Sequence, residues 1–316
     1  MSKIVVGAAA SHSTLMNTHW DQVENKDRAV RFRDNLHQAH QAIADAKPDC
    51  AIIIGSNHFR GMYLDLVPAF TIGVGECIAS GEAGTPAGPQ PVDTELALHI
   101  ADELLESGFD PAFSARLQID HGVSHAIQYL LPGLSIPIVP IIVNVFAPPL
   151  PSLRRCHDFG LALRAAVASF GPSRRVAVLA SGGLSHRLPW PDWRAPQNDD
   201  EDFLVEAWLN GRTNWKDYEE RRREIVLKAS RRANGAPAIS PDFDRAFLAA
   251  LDEGRTESYL GLSTGDLQEA AGNGGQEIRA WLMAAAAMQG SPSRTLGYEE
   301  IPEWLTGMAV SIFQSS

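Results

Sequence analysis

Cysteine is scarce in this chain, which has three cysteines among 316 residues. Cys50, Cys77 and Cys156 lie far apart, and no two of them form a Cys-x-x-Cys pair. This spacing fits neither a disulfide framework nor a cysteine-rich zinc site. We therefore expect a cytoplasmic protein, in a reducing compartment.

Positive charge is scarce as well, since 27 Lys and Arg residues against 38 Asp and Glu residues leave a formal net charge of −11. Nucleic-acid binding needs a concentrated positive face, so we expect no nucleic-acid partner. One basic stretch does occur, and it comprises Arg221, Arg222, Arg223, Lys228, Arg231 and Arg232. Because glutamates lie among these cations, we interpret the stretch as a solvated helix face.

Long apolar runs are also missing. No run approaches the length that spans a bilayer. Residues 3–10 have the pattern of a strand and lack the basic start and long apolar centre of a signal peptide. We expect neither membrane association nor a targeting signal.

Short apolar runs are abundant, and the composition is 45% hydrophobic. They predict buried strands over residues 4–10, 50–54, 136–144 and 175–180. Prolines 137 and 140 predict irregular pairing of the third strand. Helical patterns, such as residues 27–46, alternate with these strands. The alternation predicts an α/β three-layer sandwich around a largely parallel or mixed central sheet.

Two further segments complete the predicted organisation. Residues 73–93 are rich in glycine and proline and predict a long connection, either a plain surface loop or a loop at the rim of a pocket. From about Asp199 the charged, helical pattern predicts a helical C-terminal portion. We interpret residues 1–316 as a single catalytic domain.

Three of the ten histidines occupy equivalent positions in this pattern. His12, His58 and His186 each fall just past the end of a predicted buried strand. In open α/β sheets, sites form outside the carboxyl ends of the strands. Three histidines at that edge therefore indicate a metal site or an acid–base site.

The ligand types indicate which metal such a site would hold. Two imidazoles and one carboxylate, with open positions beside them, suit an oxygen-activating Fe(II) centre. His12 and His58 supply the imidazoles if they face each other, and Glu277 is the candidate carboxylate. It follows a glycine patch at residues 272–275 and begins an apolar helix predicted over residues 276–288, whose N-terminus favours a carboxylate. A glutamate that only favours the helix is the alternative.

A second polar group is Asp120-His121-Gly122, with His125 close behind. An aspartate beside a histidine can orient the ring or raise its pKa, as an acid catalyst requires. A simple turn is the alternative. Ser185 precedes His186, but adjacent Ser and His rarely form a hydrolase triad, and the chain has no Gly-x-Ser-x-Gly elbow.

Five motifs in chain order resemble those of the LigB-like (class III) extradiol dioxygenases, and most of all the 2,3-dihydroxyphenylpropionate dioxygenase branch. They are Ser11-His12-Ser13, Asn57-His58-Phe59, Asp120-His121-Gly122, the segment from Gly182 to His186, and Glu277-Ile278-Arg279-Ala280-Trp281. The similarity runs nearly end to end. It implies a LigB-like fold, extradiol cleavage of a substituted catechol by O2 with Fe(II) in aromatic catabolism, and assembly as a homo-oligomer.

The resemblance also implies a role for each matching residue. The predicted iron ligands are His12, His58 and Glu277. His186 would be the base that helps to deprotonate the catechol, and His121 the acid that assists ring rearrangement. Asp120 would support the site from outside the ligand set. His125, which we do not identify in that branch, is a predicted substrate contact.

Two other functions stay open. One is a zinc-dependent hydrolase that uses the same pocket, and the other is a non-catalytic scaffold like the Memo-type relatives of this fold. Retention of all five site residues argues against the scaffold. After His186 the chain has Arg187-Leu188-Pro189-Trp190, where the propionate-cleaving branch more typically has Gln and prolines. This departure leaves the ring substituent of the substrate open, and the regiochemistry of cleavage is open too.

Overall fold

The fold is that of a computed structural model, which describes residues 2–231, 239–289, 291 and 293–314. The strands in these ranges are β1 (Lys3–Ala10), β2 (Cys50–Gly55), β3 (Phe70–Ser80), β4 (Ala87–Gln90), β5 (Ala112–Ile119), β6 (Ile138–Val143), β7 (Arg175–Ser181), β8 (Ser293–Ile301) and β9 (Thr306–Gln314). The α-helices are α1 (Leu15–Thr18), α2 (Lys26–Asp45), α3 (Thr94–Glu106), α4 (His121–Leu130), α5 (Leu153–Ser169), α6 (Asp199–Arg231), α7 (Pro241–Asp252), α8 (Thr264–Ala271) and α9 (Ile278–Ala287).

One mixed sheet runs through the described part of the chain in the order β4-β3-β6-β2-β7-β1-β9-β8, with β5 also paired to β3. The four strands predicted from apolar runs are β1, β2, β6 and β7, and they form its parallel centre. Strands of this kind are covered on both faces, which accounts for their nearly continuous apolar sequence.

The predicted irregular pairing of the third strand is wrong. β6 pairs with β2 in unbroken register, and Pro140 lies opposite Ile53. On its other side β6 pairs with β3 from Ile141 onward. Pro140 therefore lies just before the antiparallel ladder with β3, where a missing N–H costs no ladder hydrogen bond.

Helices cover both faces of the sheet, as the sandwich prediction requires. On one face α2 and α4 pack their buried side chains, such as Phe32 and Val123, against residues of β1, β2 and β7. On the other face α3, α5 and α9 contribute Leu104, Phe159 and Trp281 to a second core. The two cores on opposite faces confirm the three-layer α/β prediction.

Two segments differ from their predicted structure. Residues 73–93 contain most of β3 and all of β4, so the predicted long connection is wrong. Gly73 and Gly75 lie inside β3, where their neighbours leave no room for a side chain. A Cβ at Gly73 would lie 2.7 Å from Pro140, and a Cβ at Gly75 would lie 2.4 Å from the Ala115 carbonyl oxygen. The helical C-terminal portion is present, but β8 and β9 follow it and extend the sheet beside β1.

None of the described helices is long and apolar enough to cross a membrane.

Candidate metal centre and substrate pocket

The sheet brings the three predicted histidines to one edge. β2, β7 and β1 are parallel neighbours and end at Gly55, Ser181 and Ala10. His58, His186 and His12 follow these ends, and all three side chains are buried. Strand order, rather than nearness in sequence, therefore assembles the cluster.

Glu277 reaches the same edge from the other end of the chain. It is the last residue of a 3-10 turn over Gly274–Glu277 and the N-cap of α9. A Cβ on Gly274 would lie 2.1 Å from ring atoms of His186, so only glycine lets this turn approach the histidine. The glycine patch brings the Glu277 carboxylate, which is 1% exposed, into the cluster.

The side chains of His12, His58 and Glu277 converge on one point. The Nε2 atom of His12 lies 3.3 Å from Glu277 Oε1, and the Nε2 atom of His58 lies 3.6 Å from the same oxygen. The buried Nε2 atom of His12 makes no hydrogen bond. Two imidazole nitrogens and a carboxylate oxygen thus face a common point without forming hydrogen bonds to one another.

The opposite ring nitrogens of both histidines are engaged. His12 Nδ1 lies 2.8 Å from the hydroxyl oxygen of Ser181, and His58 Nδ1 lies 3.2 Å from Asp120 Oδ1. Such partners orient the ring of a metal-binding histidine and leave Nε2 to the metal. Asp120 also accepts a hydrogen bond from the backbone N–H of His58.

The Glu277 carboxylate is held in its ionised form. Burial alone raises its pKa, but the surrounding histidines, His12 first, together lower that pKa far below its usual range. Its Oε2 atom accepts a hydrogen bond of 2.6 Å from the Gly183 N–H, and Oε1 accepts one from the Ser56 hydroxyl. A buried, ionised carboxylate beside two imidazoles, which can bind a metal in their neutral form, suits a divalent metal ion.

A second donor set overlaps the first. One ring nitrogen from each of His12, His58 and His121 lie within 4.8 Å of one another. Burial lowers the pKa of His121, but the Glu82 carboxylate outweighs it and the net pKa is raised. A protonated imidazole does not bind a metal ion. His12, His58 and Glu277 are therefore a more suitable donor set for a metal ion than the three histidines.

The expected partner of His121 was Asp120, and the structure corrects this. The Oε1 atom of Glu82 lies 2.7 Å from His121 Nδ1, whereas Asp120 turns to His58. Burial raises the pKa of Glu82, but His121 and Arg60 outweigh it and bring it to about 2. Glu82 follows β3 in the segment predicted as a connection. Glu82 and Ala83 line the cavity, as the alternative of a loop at the rim of a pocket predicted, but the sequence did not single out Glu82.

His186 lies beside the carboxylate with one nitrogen committed. Its Nδ1 donates to the Leu184 carbonyl oxygen at 2.8 Å, which leaves the Nε2 lone pair free, 3.9 Å from Glu277 Oε2. Burial lowers the pKa of His186. A neutral imidazole with a free Nε2 can accept a proton from a bound ligand.

A cavity of about 560 Å³ opens onto these groups. His12, His58, His121, His186 and Glu277 line it. His125 does not line it: its ring lies 5.7 Å from that of His12, and both of its buried nitrogens lack hydrogen bonds. The geometry gives no support to the predicted substrate contact of His125.

The outer wall of the cavity comes from elements that the sequence pattern did not connect to the site. Arg60, Trp190 and Arg222 line it, and Arg222 is 5% exposed. The interpretation of the basic stretch as a solvated face is therefore wrong for Arg222, while Arg221 and Arg223 are exposed. The side chains of Arg231 and Arg232 lie outside the described residues.

Fold and site together have the features of an α/β enzyme with a buried histidine–carboxylate centre. A family model described as the catalytic LigB subunit of aromatic ring-opening dioxygenase matches residues 7–309. The chain belongs to this family, and it is a ring-opening dioxygenase.

Individual relatives agree with this assignment. A Rhodococcus jostii (strain RHA1) protein named 2,3-dihydroxyphenylpropionate/2,3-dihydroxicinnamic acid 1,2-dioxygenase is 34% identical over 313 residues, or 95% of each chain. Proteins of the same name from Paraburkholderia xenovorans (strain LB400) and Escherichia coli (strain SMS-3-5 / SECEC) are 33% and 32% identical. They match 85% and 86% of this chain, and 86% and 87% of their own lengths. The predicted resemblance, including its branch, is confirmed.

Proposed function

We propose that the enzyme cleaves a catechol ring at an extradiol bond with Fe(II) held by His12, His58 and Glu277. The observation that carries the proposal is the convergence of two Nε2 atoms on one Glu277 oxygen while both Nδ1 atoms are engaged elsewhere. Three protein ligands leave open positions for the substrate. When bound, the iron would make the catechol hydroxyls more acidic and hold the ring close to O2.

His186 and His121 divide the proton transfers in this proposal. His186 accepts the proton of a catechol hydroxyl at Nε2, because its Nδ1 is committed to the Leu184 carbonyl. His121 carries a proton that Glu82 stabilises, and it donates this proton as the ring opens. A positioned acid or base of this kind contributes roughly a hundred- to ten-thousand-fold to the rate.

The names of the relatives indicate the side chain of the substrate. They describe catechols with a propionate or cinnamic acid group, and we propose a substrate of this class, with an acidic side chain on the ring. We also propose that the whole chain acts as one catalytic domain. The reason is that β1, near the N-terminus, pairs directly with β9, near the C-terminus. Assembly as a homo-oligomer and a cytoplasmic location stay predictions.

Isotope labelling tests the proposed reaction against the zinc-hydrolase alternative. The Fe(II)-loaded enzyme is mixed with 2,3-dihydroxyphenylpropionate under oxygen-18 gas, and the product is analysed by mass spectrometry. We expect a ring-opened product that contains label from the gas. A product whose new oxygen comes only from water would contradict the proposal and favour a hydrolase.

A further inference from the structure

Two arginines from distant parts of the chain reach the cavity opposite the strand edge. Arg60 follows His58 after β2, and Arg222 lies in α6; both line the cavity. The Nε atom of Arg222 and one Nη atom of Arg60 (Nη1) are buried and have no hydrogen-bond acceptor. Buried guanidinium donors normally have acceptors, so these two lack a partner that belongs there.

The charges around Arg222 are unbalanced. Its Nη2 atom lies 3.3 Å from the His58 carbonyl oxygen, and it forms no ion pair with any described carboxylate. Arg60 pairs with Glu82 at 2.9 Å, but Glu82 also holds His121. Glu219, one turn earlier in α6, also lines the cavity, but it is exposed and forms no ion pair with Arg222. A guanidinium stays charged under all ordinary conditions, so a buried one without a counter-ion is costly unless a ligand supplies the charge.

The aromatic ring of Trp215 holds both guanidinium groups in place. The Cζ atom of Arg60 lies 3.9 Å from the Trp215 ring centroid, and the Cζ atom of Arg222 lies 4.8 Å from it. Stacking of this kind fixes the plane of a guanidinium and directs its donors. The buried Nε1 of Trp190, another cavity residue, also lacks an acceptor. Arg60, Trp190 and Arg222 thus line one cavity, and each has a buried donor atom without an acceptor.

We propose that Arg222 is the counter-ion of the substrate's side-chain carboxylate and that Arg60 is a second donor to it. The inference rests on the proposed ring cleavage and adds the residues that select the substrate. A carboxylate accepts two parallel hydrogen bonds from a guanidinium, which suits Arg222 Nε together with an Nη donor. The contact of Arg222 with the His58 carbonyl places this charge beside a proposed metal ligand. A side chain on a catechol ring bound to the metal would be within its reach.

Paired substrates test the role of Arg222. The wild-type enzyme and the Arg222→Gln, Arg222→Lys and Arg221→Gln variants are assayed with 2,3-dihydroxyphenylpropionate and with neutral 3-propylcatechol. Arg221 is the matched control, because it is exposed and pairs with Asp200 at 3.4 Å outside the cavity. We expect Arg222→Gln to lower kcat/KM for the acid about 10- to 100-fold, the range for a hydrogen bond to a charged group, through KM. Its kcat/KM for propylcatechol should stay close to that of the wild type.

The other variants complete the pattern. Arg222→Lys keeps a charge but loses the planar fork, so it should recover part of the loss. Arg221→Gln should match the wild type with both substrates. If Arg222→Gln lowered kcat/KM equally for both substrates, Arg222 would have a structural role and the inference would be overturned. An unchanged preference for the acid would also overturn it.

A binding measurement separates this inference from the proposed reaction. Calorimetric titration with 3-phenylpropionate, which has the acid side chain but no hydroxyls to react, needs no turnover. We expect the Fe(II)-loaded wild type to bind it and Arg222→Gln to bind it about tenfold or more weakly, as the loss of a charged hydrogen bond predicts. Equal affinity of the two proteins would overturn the inference even if the ring is cleaved. If the wild type cleaves neither catechol, the proposed function fails instead.

Discussion

The strand edge, which is the set of carboxyl ends of β1, β2 and β7, and the outer wall of the cavity are assembled in different ways. His12, His58 and His186 follow parallel strands whose order is fixed by the sheet, and their positions are evident from strand patterns. Arg60 and Arg222 come from a loop and a long helix, and both guanidinium groups lie over the ring of Trp215. We propose that the edge supplies the metal ligands and the base of the reaction, and that the wall supplies the charge that selects a substrate. A change at the edge should therefore abolish chemistry, and a change in the wall should alter preference.

The largest effect is expected at the carboxylate of the edge. Glu277→Ala removes one of three proposed ligands, so we expect the purified variant to lose its iron and its activity. Asp120→Asn is the matched comparison, since Asp120 caps α4 and orients His58 but is not a proposed ligand, and loss of such a partner typically weakens metal binding about 10- to 100-fold. Bound iron, measured in each purified variant, is the readout. Full iron occupancy in Glu277→Ala would remove it from the ligand set.

The next effect concerns the proposed base. His186→Ala should keep its iron, because His186 Nε2 lies 3.9 Å from Glu277 Oε2, whereas the proposed metal position is at Oε1, the oxygen that faces His12 and His58. We expect kcat to fall by roughly two to four orders of magnitude. Metal analysis and steady-state kinetics on the same sample check both parts. An empty His186→Ala variant would make His186 a ligand and disprove the division of roles.

His121 should act later than His186. His121→Phe removes the acid but keeps a ring of similar shape, so the iron-loaded variant should still bind catechol without oxygen. After an oxygen pulse we expect slow ring opening, lower by about a hundredfold or more, the usual contribution of a positioned acid. Anaerobic titration of the catechol absorbance, followed by rapid mixing with oxygen, separates the two steps. Failure to bind catechol anaerobically would place His121 in binding rather than in acid catalysis.

A smaller effect is expected at the junction of the two regions, where Glu82 contacts both His121 and Arg60. Glu82 raises the pKa of His121, so the acid form persists to higher pH. Glu82→Gln should lower that pKa and move the alkaline limit of kcat to lower pH. Glu76→Gln is the control, because Glu76 lies exposed on β3, the strand that precedes Glu82, and pairs with Arg116. An unchanged pH profile would show that Glu82 does not set the charge of His121.

The sequence predicted the edge because short apolar runs identify buried parallel strands, and residues after such strands share one side of a sheet. The glycine patch and the helix start that follows made Glu277 a candidate carboxylate, and the resemblance to the dioxygenase family made it a predicted ligand. For Asp120, only the predicted pairing with His121 was wrong. Neighbouring residues at an N-cap point in different directions, and Asp120 caps α4 while it supports His58.

The wall was not predictable from the sequence for a different reason. Arg222 belongs to a run of exposed arginines, and only the packing of α6 over the cavity buries this one member. Glu82 lies in a 3-10 turn after a strand whose glycines had suggested a loop. In both cases the decisive contact joins residues more than 35 positions apart, so no local pattern could reveal it.

Above all, we propose that a two-histidine, one-carboxylate site at the strand edge uses Fe(II) to cleave catechols with O2. The most direct test loads the metal-free enzyme with Fe(II) or with Zn(II) and records oxygen uptake and ring-opened product together on 2,3-dihydroxyphenylpropionate. We expect the Fe(II) form to consume one O2 for each product formed and the Zn(II) form to do neither. Full turnover by the Zn(II) form without oxygen uptake would contradict the proposal.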